Sequence, residues 1–214
     1  LFSMVPNTFD VYKPVFREEY GANGNAEKAQ KLLKQAGFTR ENPAKVELWY
    51  RSNIPTTGLT AVVIKAIANK TMDGLLQIQT NGIDSTSFYK NAPQGVYPLS
   101  LVEWYPDFLD PDNYVQPFLQ CEKGTPEKGC EKGGSVSQGS FYYNDNMNQL
   151  IEAQRKEQDP AKRKQIFAQI QDILAKDVPY IPLWQEQDYL FAQNGVKGVK
   201  QDASQLLIYS GITK

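Results

Sequence analysis

From residue 25 onward the chain alternates between two hydrophobic periods. In AEKAQKLLKQAGF, Ala29, Leu32, Leu33 and Ala36 recur at helical spacing. Asn25 stands where such a helix is capped and Gly37 where it stops. VELWY, 46–50, has the composition of a strand, and RSNIPTTG after it reads as a loop. Leu59, Val62, Val63, Ala66 and Ile67 predict a second amphipathic helix over 58–70, with those residues as its apolar face. LLQIQT, 75–80, predicts a strand. IDSTSFYKNA, 83–92, predicts a short helix with Asp84 or Ser85 near its start, and YPLSLVEW, 97–104, a third strand. Strand–helix–strand–helix–strand implies an α/β fold with a largely parallel sheet flanked by helices.

The second half is more helical. Residues 145–158 place Met147, Leu150 and Ile151 inward. Residues 160–176 place Ile166, Phe167, Ile170, Ile173 and Leu174 on one face, with Asp159 as cap and Pro160 in the first turn. DVPYIPLW, 177–184, reads as extended, its prolines suiting an edge, and YLFAQ, 189–193, as a further strand. GGSVSQGS reads as a flexible tract, residues 1–24 as irregular, and QLLIYS as a short apolar run in the tail.

Composition narrows the function classes. The 214 residues are 41% apolar and 22% charged, an ordinary globular balance with a sizeable core. A net charge of −1 gives no basic excess for nucleic acid. No apolar run approaches the roughly 18 residues of a membrane helix. Histidine is absent, which removes the usual base of hydrolytic triads and the commonest zinc ligand, and no metal or cofactor is expected. The start at Leu1 reads as a piece of a longer protein. Cys121 and Cys130 flank a Gly-, Pro- and charge-rich loop, CEKGTPEKGC, and are expected to form a disulfide, which places the protein outside the cytoplasm.

The candidate chemistry lies in EWYPDFLDPDN, 103–113, where acids and large aromatics crowd together. The stretch begins at the carboxyl end of the third predicted strand, and open α/β sheets bind ligands in the crevice beyond such ends. Arg51, Ser52 and Asn53 follow the first strand and meet the same rule. Asp110, Pro111 and Asn113 are turn and capping residues that suit a loop scaffold. Strand alternation puts Glu103 on the face opposite Trp104. Lys34, Lys156 and Arg163 read as solvated helix positions. Tyr142, Tyr143 and Trp184 read as core, with a cleft role as the alternative. Glu103, Asp107, Asp110 and Asp112 also supply candidates for a carboxylate-dependent glycan hydrolase, which needs two carboxyls across a sugar.

WYPDFLDPDN resembles the W-x-x-D-x-x-D-P-x-N of the family 5 extracellular solute-binding proteins, the dipeptide- and oligopeptide-binding proteins of ABC importers. AEKAQKLLKQAGF resembles that family's helix ending in an Ala-Gly-aromatic step. RKEQDPAKRKQIFAQIQDILAKDVPYIPLW resembles its paired helices and following Ile-Pro-Leu strand. The likeness spans most of 25–195.

The resemblance implies one lobe of a two-lobed periplasmic-binding-protein fold of the peptide-binding cluster, here the C-terminal lobe over 25–195. Residues 1–24 would lead in from the missing N-terminal lobe, and 196–214 would return to it. The implied partners are a peptide or other small solute, the importer's membrane subunits and the missing lobe. The implied location is the periplasm or an extracytoplasmic membrane anchor. Asp107, by its spacing from Trp104, would pair with a ligand's α-amino group, a charge-assisted bond of about 1.5–3 kcal/mol. Trp104 and Tyr105 would make a pocket wall. In some dipeptide-specific relatives an Arg near the first strand takes the ligand's C-terminus. The SNIPTTG loop departs from that pattern and puts dipeptide specificity in doubt. Relatives also take oligosaccharides, nickel chelates or haem, and a sensor that kept the fold is a further alternative.

Overall fold

The computed structural model describes residues 1–187, 189–202 and 206–214. Turns lead from residue 1 into a short helix, α1 (Val15–Tyr20). Helix α2 (Ala26–Gln35) starts at Asn25, whose Oδ1 accepts from the Lys28 amide at 2.8 Å. Its periodicity is as expected but its docking is shallow: no residue of α2 is buried, and Leu32 is exposed.

The sheet follows the predicted order. Strands β1 (Ala44–Arg51) and β2 (Leu76–Ile83) pair in parallel along their whole lengths, joined by α3 (Pro55–Thr71). Helix α4 (Ser85–Asn91), capped by Asp84, then leads to β3 (Leu99–Ser100), which pairs in parallel on the other side of β1. The third strand was expected over 97–104. Pro98 has no amide to donate, and pairing fades after the Leu101 amide reaches the Trp49 carbonyl at 2.9 Å.

Alternate residues of β1 serve opposite faces of the sheet. Leu48 and Tyr50 pack toward α3 with Ala61, Ile78 and Leu101, while Trp49 packs toward α4 with Phe88 and Tyr97. Helix α3 is turned against expectation. Leu59, Val62, Val63 and Ile67 are 69, 60, 54 and 56% exposed, and Ala61, Ile64 and Ala68 form the face that meets the sheet. Small residues let the helix lie close: a Cβ on Gly58 would come within 3.2 Å of the Tyr50 ring. Side-chain size, not total hydrophobicity, chose the inward face.

Beyond β3 the chain forms the 103–113 loop and then a short helix, α5 (Gln116–Leu119). An antiparallel hairpin of β4 (Lys123–Thr125) and β5 (Gly129–Lys132) follows. Cys121 and Cys130 are joined by a disulfide across this hairpin, with Cα atoms 5.7 Å apart. The GGSVSQGS tract, expected to be flexible, contains α6 (Gly134–Ser137), with Ser135 fully buried. Gly134 is needed there, since a Cβ would meet the Pro117 carbonyl oxygen at 2.6 Å.

Helices α7 (Asp145–Lys156) and α8 (Pro160–Asp177) carry the largest core. Met147 and Ile151 of α7 meet Phe167, Ile170 and Leu174 of α8, all fully buried. Each such side chain stabilises the fold by about 1.5–3 kcal/mol. Val5, Val11, Val15 and Phe16 from the first 24 residues enter the same core, as do Val115, Phe118 and Leu119.

After α8 the chain is irregular. Residues 178–187 and 189–193 form no strand, which corrects the expected strand at 189–193. Ile181, Tyr189 and Phe191 are exposed at 62, 67 and 92%. The tail holds isolated bridges between Lys197 and Thr213 and between Gln201 and Leu207. Gln205 of the QLLIYS run lies outside the described residues. Among the described residues, no helix is long and apolar enough to cross a membrane.

Candidate functional site

The 103–113 loop leaves the carboxyl edge of the sheet and is tied down at its far end. Asp110 caps a turn of 3-10 helix (Pro111–Tyr114), its Oδ1 accepting from the Asp112 amide at 2.8 Å. Its carboxylate then takes a two-pronged contact from Arg163 of α8: Nη1 to Oδ2 at 2.8 Å and Nη2 to Oδ1 at 2.6 Å. Parallel donors of this kind fix orientation as well as charge. Burial pushes the Asp110 carboxyl up, but the Arg163 hydrogen bonds, the Asp112 amide and the guanidinium charge outweigh it and hold it below its ordinary value.

A buried amide extends the network. Gln154 of α7 is fully buried, and its Oε1 accepts from Arg163 Nη2 at 2.9 Å while its Nε2 donates to Asp112. Asp112 is also paired with Arg155 at 3.4 Å. Burial is the largest influence on Asp112 and pushes its carboxyl up against the pull of Arg155 and Gln154. The sequence reading placed Arg163 on a solvated face; the structure overturns that. Arg163 precedes Phe167, Ile170 and Leu174 at helical spacing, so it lies on the buried stripe, and its guanidinium sits 5.3 Å from the Phe167 ring centroid.

Asn113 links this anchor to the exposed half of the loop. It is 3% exposed. Its Oδ1 accepts from the Trp104 indole Nε1 at 2.8 Å and from the Asp107 amide at 3.2 Å. Trp104 is half-buried and meets Phe118 edge-on, with centroids 4.9 Å apart. One oxygen therefore sets both the ring plane of Trp104 and the backbone that carries Asp107. Tyr105 is 58% exposed, and its hydroxyl donates to Glu186 at 3.1 Å. Asp107 is exposed, and its carboxylate has no hydrogen-bond or ion-pair partner among the described residues.

A second cluster sits where β1 and β3 end. Arg51 is 7% exposed; its Nη2 donates to Glu103 Oε2 at 3.0 Å, and its guanidinium lies 5.3 Å from the Tyr89 ring centroid. Ser52 and Asn53 beside it are exposed. The Ser52 amide continues the ladder to the Ile83 carbonyl, and Asn53 Oδ1 accepts from the Ser85 amide and hydroxyl at the start of α4. Hydrogen bonds thus join Trp104, Asp107, Asp110 and Asn113 into one unit. Ser52 and Asn53 stand at the same edge of the sheet but make no hydrogen bond to that unit.

The aromatic candidates divide. Tyr142 packs on the main core, and its hydroxyl donates to Asp177 at 2.6 Å. Burial, followed by that acceptor, pushes the Tyr142 phenol far up. Trp184 is 40% exposed and donates to Glu186 at 3.2 Å. Among the described residues, no group of three or more Cys, Asp or Glu side chains is arranged to hold a metal ion.

Comparison with known proteins agrees with this frame. Residues 2–126 match the family described as bacterial extracellular solute-binding proteins, family 5 Middle. The chain is 28% identical over 180 residues to the di/tripeptide-binding protein 4 of Pseudomonas aeruginosa, covering 80% of this chain and 30% of that protein. It is 33% identical over 97 residues to the oligopeptide-binding protein AliB of Streptococcus pneumoniae, covering 44% of this chain and 15% of the other. The chain therefore spans about 30% of the length of the first of these relatives. Among solved structures, a putative peptide binding protein AppA from Clostridium difficile superimposes with a TM-score of 0.75 at 20% identity, over all of this chain and 41% of that one. A dipeptide binding protein from Pseudoalteromonas, solved in complex with Met-Leu, gives 0.72 at 18% identity, over all of this chain and 40% of that one. The likenesses to solved structures carry the fold: an α/β arrangement shared with these two proteins. The family match covers more than half of the residues, and the chain belongs to the bacterial extracellular solute-binding proteins, family 5.

Proposed function

We propose that this chain forms the C-terminal lobe, over residues 25–195, of the substrate-binding component of an ABC importer, and that the component captures peptides outside the cytoplasmic membrane. Residues 196–214 return to the N-terminal lobe. The observation that carries the reading is the distribution of charge in the loop. Glu103, Asp110 and Asp112 are each held by an arginine, and of the four loop carboxylates Asp107 alone is exposed without a partner among the described residues. A peptide's α-ammonium group is the complementary ligand, and the pair strengthens as the cleft closes and water leaves.

Trp104 and the exposed Tyr105 supply apolar wall in the same loop as that charge, and Ser52 and Asn53 line the same edge of the sheet. The work is done by binding, without bond-making: ligand contacts both lobes, favours the closed state, and the importer's membrane subunits read that state. Three of the four loop carboxylates are engaged in ion pairs, which suits a scaffold better than the opposed acid and base of a glycan hydrolase. The disulfide fits an oxidising compartment. The names of the relatives, which describe di-, tri- and oligopeptide binding, support the peptide class.

The test is calorimetric titration of the full-length protein with a short peptide and with its N-acetylated form. Acetylation is expected to weaken binding about tenfold or more, the loss of roughly 1.4 kcal/mol or more. Equal affinities would remove the amine from the account.

A further inference from the structure

The cluster at the ends of β1 and β3 contains a receptor that is already filled. Arg51 is more than nine-tenths buried at the carboxyl edge of the sheet, where this fold presents ligand contacts. A guanidinium there is a ready donor to a carboxylate group. It has one: Glu103 Oε2, at 3.0 Å. The remaining carboxylate oxygen of Glu103 accepts from the Thr56 hydroxyl at 3.4 Å. Thr56 lies in the first turn of α3, a helix of 17 residues whose N-cap, Ile54, offers no side-chain acceptor. Glu103 therefore sits against both a buried cation and the electropositive end of a long helix.

The occupation is incomplete. Glu103 engages only Nη2, and Arg51 Nε is buried with no partner among the described residues. A carboxylate free to approach along the guanidinium edge would satisfy both nitrogens. Glu103 cannot adopt any approach it chooses, because its backbone belongs to the chain leaving β3.

We infer that Glu103 is a specificity-determining residue: its carboxylate occupies Arg51 in place of a ligand's acid group, so this lobe holds peptides by the amino end and leaves their carboxyl end unread. The inference rests on the peptide reading above and names the ligand class more closely. Ligands whose C-terminus is amidated or lies further along a longer chain fit as well as short free acids. A lobe with Arg51 unmasked would instead favour short peptides whose carboxylate falls at the end of β1.

The experiment compares a tripeptide with its C-terminal amide, by titration of the full-length protein and of its Glu103→Gln variant. The wild type is expected to bind both within about twofold. Glu103→Gln removes the internal charge with little change of shape, and is expected to shift the acid-to-amide affinity ratio tenfold or more toward the acid. Adding Arg51→Gln to that variant is expected to abolish the shift. A wild type that already prefers the acid tenfold overturns the inference, and so does a ratio that Glu103→Gln leaves unchanged. The wild-type comparison holds even where a variant folds poorly. Because the amine is free in both peptides, failure here leaves the role of Asp107 intact, whereas failure of the acetylation test would not.

Discussion

Asp107 and Asp110 lie three residues apart on one loop and meet opposite fates. Asp110 is gripped by both arms of Arg163 and backed by the buried Gln154. Asp107 is exposed and its carboxylate is unpartnered among the described residues. Local sequence marks Asp110, which precedes Pro111, as a turn residue, but it does not name the partners that hold it. The difference comes from Gln154 of α7 and Arg163 of α8, more than forty residues downstream, which reach one half of the loop and not the other. Rigid anchorage next to a free charge is what a binding site needs, since a preorganised group loses little freedom when ligand arrives.

Breaking the anchor should have the largest effect. Arg163→Met leaves Asp110 half-buried without its cation and Gln154 with an empty acceptor. Losing one partner of a buried pair costs about 3–5 kcal/mol, and partial exposure of both side chains reduces this to about 2–3 kcal/mol. Thermal unfolding should show it as a fall in Tm of several degrees. An unchanged Tm would mean that the anchor contributes nothing to the fold.

The joint between the halves comes next. Asn113→Leu removes the acceptor shared by the Trp104 indole and the Asp107 amide, at a cost of about 1–3 kcal/mol in denaturant unfolding. It should also weaken peptide binding, although Asn113 need not touch the ligand. Unaltered affinity would show that Asp107 needs no such positioning.

Much of the fold was legible because strong periodic segments with caps specify themselves. The helices expected at 145–158 and 160–176 form as α7 and α8, the second with its expected cap Asp159, and the three strands pair in parallel as the alternation of elements implied. Helix α3 was misread in orientation because its apolar residues surround it on more than one side. Contact with a sheet then goes to the smaller Ala61 and Ala68, a choice set by interlayer distance. The strand expected at 189–193 did not form, and its exposed aromatic residues find no pairing edge among the described residues.

At the site, the loop itself stood out by composition, and its turn residues Asp110 and Asn113 were readable as scaffold. The partners were not. Nothing local to EWYPDFLDPDN names Arg163 or Gln154, although an arginine in register with Phe167 and Ile170 was a usable sign of burial. The pairing of Arg51 with Glu103 likewise depends on strand adjacency, which the sequence alone did not resolve at the end of the third strand.

The most direct test of the account joins Asp107→Asn with N-acetylation of the peptide in one four-way comparison on the full-length protein. Stability should stay within about 0.5 kcal/mol of the wild type, because the exposed carboxylate has no partner among the described residues. The wild type should lose tenfold or more in affinity on acetylation of the peptide, and the variant should bind both peptides equally and weakly. A variant that still discriminates the free amine would place the amine contact elsewhere and contradict the account.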